Sequence, residues 1–562
     1  METADYDQKL ARLAENRRRW ARLDLGRKLD MLDGVIERTA STAEQIVAAS
    51  SQVKQVPLDS PVEGEEWFSG PLPVMRYLRF LRQTLQSLHR RGAASIDPET
   101  LRQHPTTGQA IVDVLPTDNW DRAIYPGFTA EVWMQPDVPP DSLQDNVAGF
   151  YRQSRPDGAV ELIPTVANVS SIPPLDALSK LYAEGHVCLL LLHPANDFLV
   201  PQLREIFGQF IDEGFVDVAI GRADAGAYLV DHQDVEHIHL TGSDQTHDAI
   251  VYGLGDEADQ RRRHDRPRRD DIQMTSALGN ISPIIVAPGP WSPQDLDYHA
   301  ENIATQIVAN AGFNCNDAQV LITPKGWEQR GELLDGVRGY LDEIPPRPAY
   351  YPGAYDRFDL FTEAYEQTEL FGRRTEELLP WGLIPDVDSA AVDSPCFKTE
   401  TFCGLLCETS LDAPDVGYYL ARAVDFCNEH LWGNLCASLY IHPDVAQPTS
   451  QDVEAALTDL RYGTVMLNHW PALSYGLGVT PWGAYPENSY RDIQSGIGFT
   501  HNALLFDRPQ KTVMRGPFRT RFHPPWFATH KRAHKIGPRV VELERDPSVG
   551  PLLQLLWQEL RG

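Results

Sequence analysis

From about residue 158 the chain alternates short apolar runs with amphipathic stretches, and that alternation leaves it few architectures. Ala159 to Ile163 reads as a strand. Residues 173–184 (PPLDALSKLYAE) place Leu175, Leu178 and Tyr182 on one helical face. Gly185 supplies a stop, and Val187 to Leu192 is a wholly apolar strand of the kind buried on both faces. A helix over 201–213 follows, opened by Pro201, burying Leu203, Ile206, Phe207, Phe210 and Ile211, and closed by Gly214. Val216 to Ile220 is again strand-like. A further unit adds a helix near 224–232, the strand HIHLT and a helix from about Asp244. Strands alternating with helices predict an α/β fold built on a parallel sheet with right-handed crossovers. Ligands on such sheets bind at the carboxyl ends of the strands.

The flanking regions differ. Residues 1 to about 100 are predicted helical, with apolar residues at three and four spacing in RKLDMLDGVIERTASTAEQIVAAS and MRYLRFLRQTLQSLHRR. Residues 101–150 read as loops with short strands. Beyond about 285 the α/β texture resumes, with AQVLIT and CASLYI as strands. Past about 500 a Pro- and Arg-rich extension, RPQKTVMRGPFRTRFHPPWFATHKR, ends in the short amphipathic helix PLLQLLWQEL. A chain of 562 residues exceeds one ordinary core, so two or three lobes are expected. The net charge of −29 argues against nucleic acid or an anionic lipid surface as the main partner. Val187 to Leu192 is far too short to cross a bilayer, and the N-terminus lacks the apolar core of a signal peptide. With seven cysteines and no secretory signal, the expectation is a cytoplasmic protein with reduced thiols. Cys403 and Cys407, four apart, find no second pair to complete a metal site and read as core thiols. The run RRRHDRPRRDD (261–271) reads as an exposed connecting loop, with contact to a cofactor 2′-phosphate the weaker alternative.

The chemistry concentrates in SALGNISPIIVAPGPWSPQDLDYHAENIATQIVANAGFNCNDAQVLI. Ser292 is predicted to cap a helix, with Pro293 in its first turn and Asp295 completing an acidic start. Leu296, Ala300, Ile303, Ala304, Ile307 and Val308 anchor that helix, Gly312 breaks it, and Cys315 follows in a short loop before AQVLI. A thiol there, with backbone N–H groups nearby, can form a thiolate nucleophile. On spacing alone a packed structural cysteine is the better reading.

The wider pattern reverses that balance, because the segment resembles the aldehyde dehydrogenase superfamily. In that family an ELGGKSP strand precedes a helix ending in NAGQ-x-C, whose Cys is the nucleophile; here the two ends read ALGNISP and NAGFNC. HIHLTGS resembles the strand and turn that meet the cofactor pyrophosphate, implying contacts from Thr241, Gly242 and Ser243. FKTETFCG resembles E-x-F-G-P, which puts Glu400 at the nicotinamide ribose and Phe402 beside the ring. PWGAYP and SGIG resemble the late P-F-G-G and S-G-x-G signatures, so the likeness spans about 155–500. Asn168, in the turn VANVSSIPP, matches the oxyanion-hole Asn, which acts with the backbone N–H of Cys315. Two departures stand out. The general-base Glu of the family aligns with Ala277, and its adenosine-binding Lys falls near Leu191 or His193.

The resemblance implies NAD or NADP as cofactor and aldehyde chemistry through a thiohemiacetal and a thioester on Cys315. Without a base at Ala277, a thiol acceptor such as coenzyme A, or reduction of an acyl thioester, becomes an expectation beside hydrolysis with Glu400 as the stand-in base. A catalytically impaired scaffold with a binding or structural role is the alternative. A Cys hydrolase needs a His partner that the sequence does not reveal. The implied organisation is a cofactor domain over 1–285 (core 155–285), a catalytic domain over 286–470, and a C-terminal segment over 471–562. The family's small β-flap pairs with a neighbouring subunit, implying a homodimer or homotetramer. The HPPWF extension is expected to wrap a neighbouring surface or the substrate mouth.

Overall fold

The computed structural model describes residues 3–94, 96–165 and 168–559. Two sheets organise the chain. The smaller has six strands, in the order Gly496–Ile497, Gln273–Ala277, His237–Thr241, Val160–Thr165, Val187–Leu192 and Val216–Ile220. All its pairings are parallel except that of Gly496–Ile497 with Gln273–Ala277. The chain starts at the central Val160–Thr165 strand, runs outward on one side, then returns to His237–Thr241 on the other. That leaves a crevice at the carboxyl ends where the two central strands diverge. The apolar Val187–Leu192 run is buried at every position, as a strand covered on both faces requires.

The larger sheet has eleven strands and contains both the parallel strands of the second lobe and an antiparallel flap. Its parallel part includes Ser282–Val286, Ala318–Pro324, Leu405–Leu411, Cys436–Tyr440 and Thr464–Leu467. The flap strand Ala110–Leu115 pairs with Thr129–Met134, which pairs with Pro509–Arg515, and this last strand runs parallel to Thr464–Leu467 of the same chain. Through the Pro509–Arg515 strand the flap extends its own chain's larger sheet.

Several local readings change. The helix expected over 201–213 is divided into Val200–Ile206 and Gly208–Asp212, interrupted at Phe207 (ψ 11°). Arg261, Arg262 and Arg263 close the helix Asp256–Arg263 rather than lying in a loop. Arg262 pairs with Asp248 at 2.6 Å and Arg269 with Asp271 at 2.6 Å, so neighbouring acids neutralise much of that basic run. The terminal extension holds two helices, Ala533–Arg545 and Val549–Glu559; Leu560 of the expected terminal helix lies outside the described residues. No helix among the described residues is long and apolar enough to cross a membrane.

The N-terminal helices Leu25–Val53 and Pro71–Arg91 pack against Ala533–Arg545. An ionic cluster with a fully buried centre of Arg76, Asp121 and Glu544 ties these distant segments together. Arg76 donates to Asp121 (2.8 Å) and Glu544 (2.7 Å), and Arg79 donates to the other oxygen of Glu544 (2.7 Å) and to Asp118. Removing one member strands its partners in low dielectric, which costs more than the intact cluster gains. Glu544→Ala is therefore expected to lower unfolding stability by about 3–5 kcal/mol, read from urea denaturation.

Candidate active site

Cys315 sits in the loop that joins the helix Pro293–Val308 to the strand Ala318–Pro324. The helix starts as expected, with a reciprocal Ser292–Asp295 capping box and Pro293 in the first turn. It stops earlier than expected, at Val308, because Asn310 (φ 50°) and Ala311 (φ 60°) turn left-handed before Gly312 is reached. Gly312 does more than break the helix. Its φ is +79°, and a Cβ there would lie 2.3 Å from the Gly404 backbone nitrogen. Only a glycine lets the Cys315 loop press against the segment that carries Glu400 and Phe402.

The loop is braced from several sides. The Asn168 amide donates to the Phe313 carbonyl at 2.6 Å, and the Asn310 amide donates to the Asn168 carbonyl at 3.1 Å. The Tyr350 hydroxyl bonds Asn310 Oδ1 (2.9 Å) and the Asn168 carbonyl (3.1 Å). Glu65, paired with Arg347, accepts the Asn310 N–H at 2.9 Å. Beyond Cys315, the Trp470 indole donates to the Asn316 carbonyl at 2.8 Å. Val166 and Ala167, which begin the Asn168 turn, lie outside the described residues.

Cys315 and Asn168 line one cavity of about 190 Å³. Cys315 is the only one of the seven thiols not fully buried among the described residues; Cys403 and Cys407 are core thiols. The expected readiness to form a thiolate is not met in this arrangement. Burial first, then Glu400, Cys436 and Asp317, push the thiol well above its ordinary value. These effects outweigh the backbone hydrogen bond that favours the thiolate, so the proton stays on sulfur at neutral pH.

Glu400 lies on the other side of the thiol. Its carboxylate accepts the Asn280 N–H at 3.1 Å, and burial pushes it up to about 7. Its Oε2 sits 2.0 Å from where a Gly279 Cβ would stand, so residue 279 must lack a side chain for Glu400 to dock. Ala277, two positions earlier, pairs with Gly496 of the SGIG segment and presents no ionisable group. Phe402 (φ 39°) packs edge-on against Tyr351 at 4.9 Å, under the Arg357 guanidinium.

At the crevice of the smaller sheet, Gly242 links the His237–Thr241 strand to the helix Asp244–Val251, which Ser243 caps through the Thr246 N–H (3.2 Å). The Thr241 hydroxyl is already engaged, donating to Asp176 at 2.7 Å. Asp176 also faces His239 and His501, which hold it well below the usual carboxylate range. Of the two residues that could take the place of a strand-end cation, Leu191 is buried within Val187–Leu192 and His193 directly follows that strand. The Thr165 hydroxyl, at the carboxyl end of the central strand, is buried without a partner among the described residues. An orphaned hydroxyl at the point where the strands diverge, beside a capped helix start, fits a nucleotide-type ligand.

A sequence model of the aldehyde dehydrogenase family matches residues 192–333, a stretch that includes Thr241–Ser243, Ala277 and Cys315. The fold agrees over nearly the whole length. A putative aldehyde dehydrogenase from Burkholderia cenocepacia has a TM-score of 0.61 at 16% identity, covering 91% of this chain and 92% of that one. Over residues 192–333 the chain is similar to the aldehyde dehydrogenase family, and over nearly its whole length it shares that family's fold. An NADP-dependent glyceraldehyde-3-phosphate dehydrogenase from Bacillus halodurans, solved with NADP, shares the fold (TM-score 0.60, 14% identity, 91% of each chain). Among characterised relatives, N-succinylglutamate 5-semialdehyde dehydrogenase 1 of Caulobacter vibrioides is 27% identical over 208 residues. That match spans 32% of this chain and 40% of the relative's length.

Sequence reasoning missed Asn310, Tyr350, Tyr351 and Glu65. Asn310 was within reach, since it lies inside the quoted NAGFNC; the others come from segments whose periodicity gives no hint of the site. Alkylation of Cys315 by iodoacetamide, followed by peptide mass spectrometry, should be slow at neutral pH. It should keep rising above about 8.5, the ordinary cysteine pKa; fast labelling at pH 7 would contradict the protonated thiol.

Proposed function

We propose that the protein is an NAD(P)-dependent oxidoreductase that acts on an aldehyde through Cys315. The observation that supports this most is the shared cavity wall, where a half-exposed thiol and the Asn168 amide face the same space. In this reading Cys315 Sγ adds to the carbonyl carbon. The oxyanion is met by the Cys315 N–H and by the Asn168 N–H not committed to Phe313. Because the thiol is held protonated, addition needs a base, and Glu400 is the nearby group whose carboxyl titrates near neutrality.

The residues that would hold a nicotinamide cofactor are Thr241, Gly242 and Ser243 at the crevice, with Glu400 and Phe402 facing them. Bound there, it supplies the hydride acceptor. The chain's own part is to hold the acyl group on Cys315 as a thioester and to pass it on. With Ala277 in place of a carboxylate, Glu400 is the base left to activate water. A thiol acceptor such as coenzyme A, or the reverse reduction of an acyl thioester, is the second reading, and Ala277 is what favours it. The raised thiol is what favours an impaired scaffold. We carry a cytoplasmic setting and a homodimer or homotetramer as part of the same proposal.

NADH formation from an aldehyde, with and without coenzyme A, separates the acceptors. For water, the rate should rise with pH through about 7 as Glu400 loses its proton. Glu400→Gln should remove that limb and cost at least about a hundredfold in kcat. Stimulation by coenzyme A with no such limb would favour the thiol acceptor, and no turnover under either condition would favour the scaffold. Ala277→Glu should raise the water-dependent rate where deacylation limits turnover; an unchanged rate excludes that limit.

A further inference from the structure

The cavity before Cys315 is walled by segments from several parts of the chain, and its composition restricts what can enter. Phe68 and Leu72 come from the N-terminal helices, and Trp470 from the loop after the strand Thr464–Leu467. The terminal extension contributes Trp526, Phe527 and Val540. Among the described residues that line the cavity there is no Lys, Arg or His. Two carboxyl groups are present. Glu65 is paired with Arg347, whereas Glu559, in the last turn of the terminal helix, has no ion pair among the described residues; burial pushes it up to about 7.

The extension is a fixed wall rather than a loose tail. Arg519 pairs with Asp295 at 2.7 Å and His523 meets Glu301 at 2.8 Å, both on the helix that leads to Cys315. The Ala528 N–H donates to Thr305 Oγ1 of that helix at 3.0 Å. Farther along, Glu544 is locked into the buried cluster with Arg76 and Arg79. The aromatic wall is therefore in place before any substrate arrives.

We propose that the substrate is an uncharged aldehyde with a hydrocarbon body, and that the terminal extension is the specificity element that rejects aldehydes bearing a carboxylate at the far end. This rests on the aldehyde reading above and names its substrate class. An apolar body is favoured by leaving water for this wall. An ω-carboxylate finds no cation to pair with and meets the Glu559 carboxyl instead, so it is desolvated without compensation.

Two measurements test this, one independent of turnover. With cofactor, kcat/KM for hexanal should exceed that for succinic semialdehyde by at least about a hundredfold. Without cofactor, 1-hexanol should perturb the fluorescence of the full-length protein, through Trp470 and Trp526, at concentrations where 4-hydroxybutyrate does not. If neither aldehyde is oxidised, the catalytic reading fails while the alcohol titration still decides the substrate class. Equal or better use of succinic semialdehyde, or binding of 4-hydroxybutyrate at least as tight as that of 1-hexanol, overturns the proposal. Glu559→Lys, in the last turn of the helix Val549–Glu559, should narrow the hexanal preference by admitting the carboxylate. An unchanged ratio overturns the role given to the extension, and Trp526→Ala provides a second check by raising KM for hexanal more than it changes kcat.

Discussion

One close approach of two backbones places the groups of the cleft relative to one another. Gly312 and Gly404 touch so closely that no Cβ fits between them. The contact locks the loop carrying Cys315 onto the segment carrying Glu400 and Phe402, although these lie far apart in sequence. The left-handed turn at Asn310 and Ala311 is the backbone's means of reaching that contact from the end of a helix. The Asn168, Tyr350 and Glu65 hydrogen bonds then hold the turn in place. A second glycine, Gly279, makes room on the other side for the Glu400 carboxyl.

That packing has an electrostatic consequence. Burial raises the proton affinity of the Cys315 thiol and of the Glu400 and Asp317 carboxyl groups, and the charges of Glu400 and Asp317 add to the effect on the thiol. Cys315 is thus presented as a thiol beside a carboxyl that titrates near neutrality, rather than as a preformed thiolate beside a cation.

The same economy of buried charge fixes the outer parts. Arg76, Arg79, Asp121 and Glu544 pair completely inside the protein, joining the N-terminal helices to the terminal extension. The extension in turn reaches the helix Pro293–Val308 through Arg519 and His523. The tunnel wall and the nucleophile loop therefore share one support, the helix that ends just before Cys315.

Much of this was legible in the residues themselves. The parallel α/β alternation, the Ser292–Asp295 box, the strand Val187–Leu192 and the Ser243 cap are local, so period and capping chemistry reveal them. The motif likeness also picked out Cys315, Asn168 and Glu400 as a set, because short motifs preserve the residue types that the chemistry needs. What tertiary structure alone decided is everything set by contact between distant segments. It decided that Gly312 serves a backbone crossing, that the thiol keeps its proton, and that Tyr350 and Glu65 brace the loop. It also decided that the Pro509–Arg515 strand closes its own sheet and that the terminal extension lines the cavity. Burial and charge crowding arise from residues hundreds of positions apart, and no window of sequence contains them.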